Sequence, residues 1–208
     1  LKEIDGKTYF FDESGVMQTG WKEVDGVRRY FASSGAMATG WLKDGDSWYL
    51  LSKEGKKLTG DQEVDGEKYY LNEEGIMQTG WKWIDGKYRY YAKSGALKKG
   101  WLKDGNKWYY LNPENGEMVT GEKEIDKVNY YFVDSGAMAV GWKWHDEAYY
   151  YYQASGAMLK GWYKEAGIWY YLNLETGKMA TGQHEVSGKY YYFNNSGAMQ
   201  TGWKWHDG

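Results

Sequence analysis

The stretch that decides the fold is Gly100-Trp101-Leu102-Lys103-Asp104-Gly105-Asn106-Lys107-Trp108-Tyr109-Tyr110-Leu111-Asn112, which closes with Asn115-Gly116-Glu117-Met118-Val119-Thr120-Gly121. Its pattern predicts two short strands around a tight turn, and a second turn that leads into the next copy. The glycine that ends each copy recurs every 20 or 21 residues, at Gly20, Gly40, Gly60, Gly80, Gly100, Gly121, Gly141, Gly161, Gly182 and Gly202. A unit of this size cannot bury a core alone, so the copies must stack on their neighbours.

Three types of repeat alternate in strict order, which gives a true period of about 61 residues. Type-1 repeats lack an opening Trp and cover residues 1–20, 61–80, 122–141 and 183–202. Type-2 repeats open with Trp-Lys and cover 21–40, 81–100, 142–161 and the stretch from 203. Type-3 repeats carry Trp on both strands and cover 41–60, 101–121 and 162–182. The chain begins inside one repeat and stops inside another. We therefore expect a single array of about ten repeats over residues 1–208 that belongs to a longer protein.

The local structure follows from the turns and the strand-forming residues. Asp-Gly dipeptides recur after the first strand and are strong hairpin signals, because a tight primed turn needs positive φ; they are Asp5-Gly6, Asp25-Gly26, Asp44-Gly45, Asp65-Gly66, Asp85-Gly86 and Asp104-Gly105. Side chains alternate along a strand, so Trp108 and Tyr110 share one face while Tyr109 and Leu111 share the other. We expect Leu111, with its counterparts Leu71 and Leu172, to line a narrow interior. No segment has a helical period.

Composition excludes several classes of protein. The net charge of −3, with both signs interspersed, gives no basic stripe for nucleic acid. No apolar run approaches the ~20 residues of a membrane span, so no membrane insertion is expected. The chain has 13 Trp and 22 Tyr but only 5 Phe. Because Trp and Tyr each carry a polar group at the end of an aromatic side chain, this bias favours partly solvent-exposed surfaces and ligand contact over a purely structural core.

The sequence offers no constellation for catalysis. His145 and His206 occupy the same repeat position and His184 another, and none has a partner at catalytic or metal-ligand spacing. The acidic residues match no calcium-binding loop motif. The glycines lie at turns between predicted strands and match neither a phosphate-binding loop nor a nucleophile elbow. We expect no enzyme activity, no catalytic residue, no metal and no cofactor.

The motif from Gly100 to Gly121 closely resembles the cell-wall-binding repeat of choline-binding modules, which occur on Gram-positive murein hydrolases, surface proteins and phage lysins. Glucan-binding repeats of extracellular glucansucrases and repeats of large clostridial toxins share it, so the repeat identifies the fold better than the ligand. The resemblance implies an all-β fold, a repetitive β-hairpin solenoid with three hairpins per superhelical turn. It also implies a secreted protein held at the bacterial cell surface.

In that family a choline site lies between consecutive hairpins. It uses the opening Trp and second-strand Trp of one hairpin, the second Tyr of the next, and a Met between them. Carried onto this sequence, the sites are Trp101, Trp108, Met118 and Tyr131; Trp162, Trp169, Met179 and Tyr192; and Trp41, Trp48 and Tyr70, where Leu58 replaces the Met. A type-2 cage would use Trp142, Tyr149, Met158 and Tyr171, and a second would use Trp81, Tyr88, Tyr110 and Leu97. Arg28 opposite Trp21 would repel a cation. Type-1 repeats have Asp61/Lys68 and Glu122/Asn129 where walls should stand, so no site is expected there.

Two ligand classes fit these residues. A quaternary ammonium cannot donate a hydrogen bond, so its site must offer π faces, and several weak sites on one array gain by avidity. This reasoning favours a non-catalytic multivalent module that anchors a larger protein by recognising choline or phosphocholine of teichoic acids. The alternative is an α-glucan or other cell-surface carbohydrate stacked on Trp83, Trp144 and Trp205. A spacer or a self-association surface is the third possibility.

Overall fold

The computed structural model describes residues 1–202, which contain twenty β-strands and no helix. The strands pair in chain order into ten antiparallel hairpins: β1 (Lys2–Ile4) with β2 (Lys7–Tyr9), β3 (Gly20–Val24) with β4 (Val27–Phe31), β5 (Gly40–Asp44) with β6 (Ser47–Leu51), β7 (Gly60–Val64) with β8 (Glu67–Leu71), β9 (Gly80–Ile84) with β10 (Lys87–Tyr91), β11 (Gly100–Asp104) with β12 (Lys107–Leu111), β13 (Gly121–Ile125) with β14 (Val128–Phe132), β15 (Gly141–His145) with β16 (Ala148–Tyr152), β17 (Gly161–Glu165) with β18 (Ile168–Leu172), and β19 (Gly182–Val186) with β20 (Lys189–Phe193). The predicted fold class, an all-β repetitive β-hairpin solenoid, is confirmed. Since residues 1–202 form no helix, they hold no helical membrane span.

The hairpin turns follow the predicted dipeptides in type-1 and type-2 repeats but not in type 3. Asp25 and Gly26 both have positive φ, at 52° and 72°, as a type I′ turn requires. In the type-3 hairpin β5–β6 the central pair is instead Gly45 and Asp46, and only Gly45 has positive φ, at 60°. Glycine at the first central position is the requirement of a type II′ turn. The prediction that Asp44-Gly45 forms the turn is therefore wrong by one residue, and so is that for Asp104-Gly105; both Asp residues belong to strands.

A recurring backbone hydrogen bond joins each hairpin to the next. The Met138 N–H, in the linker after β14, donates to the Trp108 carbonyl in β12 over 2.7 Å. The equivalent bond runs from Met77 to Trp48, over 2.8 Å. Related bonds recur in the other repeats, from Met37 to Thr8, Lys57 to Arg28, Leu97 to Lys68, Met118 to Tyr88, Met158 to Asn129, Met179 to Tyr149 and Met199 to Trp169. A repeat is thus tied to its predecessor through main chain, whatever its side chains are.

The core is built from the last residue of the second strand in each hairpin after the first. Phe31, Leu51, Leu71, Tyr91, Leu111, Phe132, Tyr152, Leu172 and Phe193 are all buried. This confirms the predicted interior position of Leu71, Leu111 and Leu172. The chain packs as two compact units, one of Leu1–Gly100 with Leu111–Met118 and the other of Trp101–Tyr110 with the described residues from Val119 onward. That all the repeats form one continuous array stays a prediction.

The turn between β13 and β14 is strained, which yields a test of the hairpin geometry. Lys127 has a φ of 65°, a conformation that costs a side chain free energy and that glycine adopts freely. We expect Lys127→Gly to raise the free energy of unfolding by about 0.5–1 kcal/mol, measured by urea denaturation. The matched control is Lys189→Gly, which removes the same charge from strand β20 opposite Val186 and should destabilise. Loss of stability in Lys127→Gly would contradict the assigned turn.

Candidate ligand-binding cavities

Each type-3 hairpin presents two indole rings at right angles. The centroids of Trp101 and Trp108 are 6.2 Å apart with an interplanar angle of 88°. Trp162 and Trp169 repeat this arrangement at 6.1 Å and 87°, and the pair Trp41 and Trp48 does so at 6.5 Å and 83°. The alternation of side chains along a strand puts both indoles on one face of the hairpin. Two perpendicular apolar walls result.

The next repeat supplies the third wall and a thioether. Tyr130 lies 4.9 Å from Trp101, measured between ring centroids. Met138 completes a cavity of about 430 Å³ that is also lined by Ala154 and Ser155. The equivalent cavities are lined by Trp41, Trp48, Tyr69, Met77, Lys93 and Ser94, with about 340 Å³, and by Trp162, Trp169, Tyr191 and Met199, with about 360 Å³. The three cavities share one design, repeated at the 61-residue period.

The tyrosine in each cavity is one residue before the predicted one. The sequence predicted Tyr70, Tyr131 and Tyr192, whereas the structure places Tyr69, Tyr130 and Tyr191 there. Neighbouring residues of a strand point to opposite faces, so only one of two consecutive tyrosines can face the preceding hairpin. Tyr131 instead stacks on His145 with its centroid at 4.2 Å, and Tyr70 is tilted against Tyr91 at 6.3 Å.

The methionine of each cavity comes from the following repeat rather than from the same one. The sequence predicted Met118 and Met179, but their amides bond to the carbonyls of Tyr88 and Tyr149, which puts them beside type-2 hairpins. Met77, Met138 and Met199 line the cavities instead, because their amides bond to the second Trp of each type-3 hairpin. The cavity at Trp41 therefore has a thioether despite Leu58.

The structure does not assemble the predicted type-2 cage of Trp142, Tyr149, Met158 and Tyr171. Trp142 contacts Tyr151 and Tyr170, with ring centroids 5.2 and 5.0 Å away, as Trp101 contacts Tyr110 and Tyr130 in the type-3 cavity. Its indole N–H donates to Glu165 Oε2 over 2.9 Å. Tyr163 lies 4.0 Å from Tyr151, so a further ring of the next hairpin occupies this region. Burial, with hydrogen bonds to Tyr151 and Glu165, raises the pKa of the Tyr163 phenol, which therefore stays neutral.

The other three members of that predicted cage also have different neighbours. Tyr149 pairs directly across the hairpin with Trp144, and their centroids are 4.9 Å apart. Tyr171 packs on Trp162 at 5.1 Å. Met158 packs against a buried cluster that contains Tyr150 and Tyr152. In the type-2 hairpin β9–β10, Tyr88 contacts Trp83 and also stands perpendicular to Trp81, at 6.4 Å and 88°.

Exposed indoles remain on the type-2 hairpins. Trp83 is 63% exposed and Trp144 is 60% exposed. Tyr88 lies 4.7 Å from Trp83 with the ring edge toward it, as Tyr149 does at Trp144. Trp205, the third residue of this predicted set, and His206 lie outside the described residues.

Charged side chains distinguish the surroundings of Trp21 and of the type-1 hairpin β7–β8 from the three Trp cavities. At Trp21, both the Arg28 guanidinium and the Lys57 ammonium lie over the ring, 6.0 and 5.9 Å from its centroid. A polar cavity of about 320 Å³ adjoins the type-1 hairpin β7–β8 and is lined in part by Asp61, Lys68 and Arg89, with no Trp. Neither environment has the facing indoles of a cation cage.

The linings of the three Trp cavities offer aromatic ring faces rather than carboxylates. Within residues 1–202, none of the side chains that line the three cavities is acidic. The Lys164 ammonium, directly across the hairpin from Trp169, lies 5.2 Å from its ring centroid. Lys103 lies 5.9 Å from that of Trp108. These distances are in the range of cation–π attraction, so the indole faces are electrostatically suited to a positive group.

Comparison with protein families covers most of these repeats. The model described as a choline-binding repeat matches residues 1–38, 18–59, 58–98, 78–122 and 139–184. This chain belongs to the choline-binding repeat family. A second model, a putative cell wall binding repeat, matches residues 184–199 of this choline-binding repeat chain. Among curated protein sequences, none matches it.

Solved structures give the same assignment. CbpJ from Streptococcus pneumoniae is 34% identical with a TM-score of 0.82, over 96% of this chain and 79% of CbpJ. Choline binding protein F of the same species, crystallised with a peptidoglycan analogue, is 30% identical with a TM-score of 0.74, over 95% of this chain and 85% of that one. The modular autolysin LytC, also pneumococcal and in complex with a synthetic peptidoglycan ligand, is 28% identical with a TM-score of 0.60, over 93% of this choline-binding repeat chain but only 42% of LytC.

The contact between Met138 and Gly156 offers a test of how the cavity is built. Gly156 has a φ of 82°, and a Cβ there would collide with the Met138 sulfur. Gly156→Ala should therefore cost about 0.5–1.5 kcal/mol more than Gly66→Ala, the cost of moving the Met138 side chain off its rotamer, because Gly66 has a φ of 80° but open space around it. Urea denaturation measures both. Adding Met138→Ala should remove the difference, and equal costs for the two glycines in the parent would contradict this packing.

Proposed function

We propose that this chain is a non-catalytic, multivalent binding module that recognises choline of teichoic acids in its three Trp cavities. The observation that carries the proposal is the recurrence of one cavity design, two perpendicular indoles with a tyrosine and a methionine, at every type-3 hairpin. A trimethylammonium group presents methyl groups and a diffuse charge, and it needs π faces rather than hydrogen-bond acceptors. The absence of acidic residues from the cavity linings fits that requirement.

A low affinity of each single site for choline is consistent with a repeat protein that binds through several sites at once. A single exposed cation–π contact contributes ~0.5–1 kcal/mol, so three aromatic walls with desolvation support about millimolar affinity. Several such sites bind a polymer far more tightly than one, provided that the polymer reaches them together. In this proposal the module anchors a larger protein to the surface of a Gram-positive bacterium. Membership of the choline-binding repeat family supports that setting.

Calorimetric titration with choline tests the proposal. We expect three equivalents per chain from the described cavities. Trp108→Ala removes one wall and should weaken choline binding at one site by about 0.5–2 kcal/mol. Retention on a choline resin should fall more strongly, because the chain then binds the resin through one site fewer. The matched control is Trp83→Ala, which removes an exposed indole that lines none of the three cavities.

A second matched pair separates the cavity tyrosine from its neighbour. Tyr69→Leu should weaken the site at Trp41, whereas Tyr70→Leu should leave its affinity unchanged because Tyr70 faces the other side of its strand. Unchanged choline binding in both Trp108→Ala and Tyr69→Leu would refute the proposal. Competition by dextran but not by choline would do so as well.

The rim of the cavity at Trp41 predicts a preference among choline ligands. Lys93 lines this cavity, and Ala154 occupies the corresponding place at Trp101. A Lys ammonium disfavours choline but pairs with the phosphate of phosphocholine, an exposed contact worth up to about 1 kcal/mol, or about fivefold in affinity. Lys93→Ala should therefore raise the affinity of this site for choline and lower it for phosphocholine. Parallel titrations with the two ligands measure this, and identical shifts for both would contradict a direct contact.

A carbohydrate remains the second candidate ligand. The exposed faces of Trp83 and Trp144, each with a tyrosine edge beside it, suit the stacking of a sugar ring. In the titrations above, a saccharide that binds here would be lost in Trp83→Ala and Trp144→Ala and retained in Trp108→Ala.

A further inference from the structure

His145 is the one polar residue at a strand position that is otherwise aliphatic in the described type-1 and type-2 repeats; in type-3 repeats the position holds Asp44, Asp104 or Glu165. His145 is the last residue of the first strand in its hairpin, where Val24, Ile84, Ile125 and Val186 are buried aliphatic residues. The His145 side chain is only 7% exposed. A buried imidazole needs polar partners for its ring nitrogens, because burial without them costs free energy.

The ring of His145 is held in one orientation. It lies between the rings of Tyr131 and Tyr150, with centroids 4.2 and 4.1 Å away and interplanar angles of 5° and 7°. Its Nε2 is 2.9 Å from the hydroxyl of Tyr152, which is fully buried. When Nε2–H donates to this hydroxyl, the lone pair of the neutral ring is on Nδ1.

That lone pair faces two carboxylates. Nδ1 is 3.5 Å from Glu122 Oε1 and 3.4 Å from Asp146 Oδ2. The three atoms lie within 4.8 Å of one another. Glu122 comes from the preceding hairpin, 23 residues before His145. Three electron-pair donors thus converge from two hairpins on one point.

The spacing of these atoms matches a coordination polyhedron better than direct hydrogen bonds. A charge-assisted N–H···O bond has a heavy-atom distance of ~2.7–2.9 Å, clearly shorter than either observed separation. A tetrahedral Zn²⁺ with bonds of ~2.0–2.2 Å places its ligand atoms ~3.4 Å apart. The two distances from Nδ1 have this value, so both carboxylates already lie at the separation from the imidazole that a shared ion requires.

We propose that Glu122, His145 and Asp146 form a binding site for a divalent transition-metal ion of the Zn²⁺ class. Imidazole nitrogen with carboxylate oxygen is a donor set that such ions accept. Tyr152 acts as the positioning residue that fixes the ring tautomer. Glu122 is 47% exposed and Asp146 is 72% exposed, so water can complete the coordination. The bound ion clamps hairpin β13–β14 to β15–β16. The proposal departs from the expectation, drawn from sequence spacing, that no His has a metal partner.

Metal titration of the whole chain tests this site. We expect one equivalent of Zn²⁺ by calorimetry, a Tm that rises with Zn²⁺ concentration because the ion binds only the folded chain, and visible absorption bands when Co²⁺ replaces Zn²⁺. Glu122→Gln keeps the shape of a partly exposed side chain and should weaken Zn²⁺ at least tenfold. His145→Val, which installs the residue found at Val24, should abolish binding. Tyr152→Phe, with the residue found at Phe132 and Phe193, should weaken it about tenfold.

Two controls separate this site from other metal contacts. His184→Ala removes an exposed imidazole from β19 and should leave the response unchanged. The choline titration of the parent should be the same with and without Zn²⁺, since no ligand atom of the metal site lines a Trp cavity. No Zn²⁺ response in the parent chain overturns the proposal. A Zn²⁺ response in both Glu122→Gln and His145→Val that equals the response of the parent chain overturns it as well.

Discussion

One backbone hydrogen bond governs how successive repeats meet. In each repeat the amide in the linker donates to the carbonyl of the second residue of the preceding hairpin's second strand, as from Met138 to Trp108 over 2.7 Å. Since donor and acceptor are main-chain atoms, the register between hairpins survives substitution of the side chains. The bond also carries the linker side chain to the preceding hairpin. A thioether beside the second indole, and hence the floor of each Trp cavity, follows from a main-chain contact.

The same register creates a side-chain contact between positions 23 residues apart. The second residue of one first strand meets the fifth residue of the next hairpin's first strand. Trp21 donates its indole N–H to Asp44 across this distance, and Trp142 donates to Glu165, both over 2.9 Å. Glu122 and His145 stand in the same relation. The same relation between strands therefore supports a hydrogen-bonded, half-buried indole in one repeat and a cluster of ionisable groups in another, according to the residues that fill the two positions.

Relations within a hairpin could be predicted from the sequence, whereas relations between hairpins could not. Glycine spacing, strand propensity and alternation place Trp101 and Trp108 on one face because these rules act over a few residues. Tyr130 and Met138 reach the cavity through the contact between repeats, which periodicity does not define. For that reason the sequence predicted Tyr131 and Met118, where the structure has Tyr130 and Met138. The turn at Gly45 was predicted one residue too early for a different reason. Asp44-Gly45-Asp46 contains two overlapping dipeptides that could form a turn, and only the pairing of the two strands selects Gly45-Asp46.

The cavities at Trp41 and Trp101 each draw on three consecutive repeats, and this limits which changes in repeat number would leave them intact. The cavity at Trp41 takes its indoles from a type-3 repeat, Tyr69 and Met77 from type 1, and Lys93 from type 2. Deletion of residues 61–80 alone would bring Arg89 to the strand position of Tyr69, so that a guanidinium would replace the aromatic wall. Deletion of residues 122–141 would instead bring Tyr150 and Met158 to the positions of Tyr130 and Met138, so that an aromatic wall and a thioether would remain at Trp101. The order of the repeat types therefore determines whether a cavity keeps its lining when a single repeat is lost.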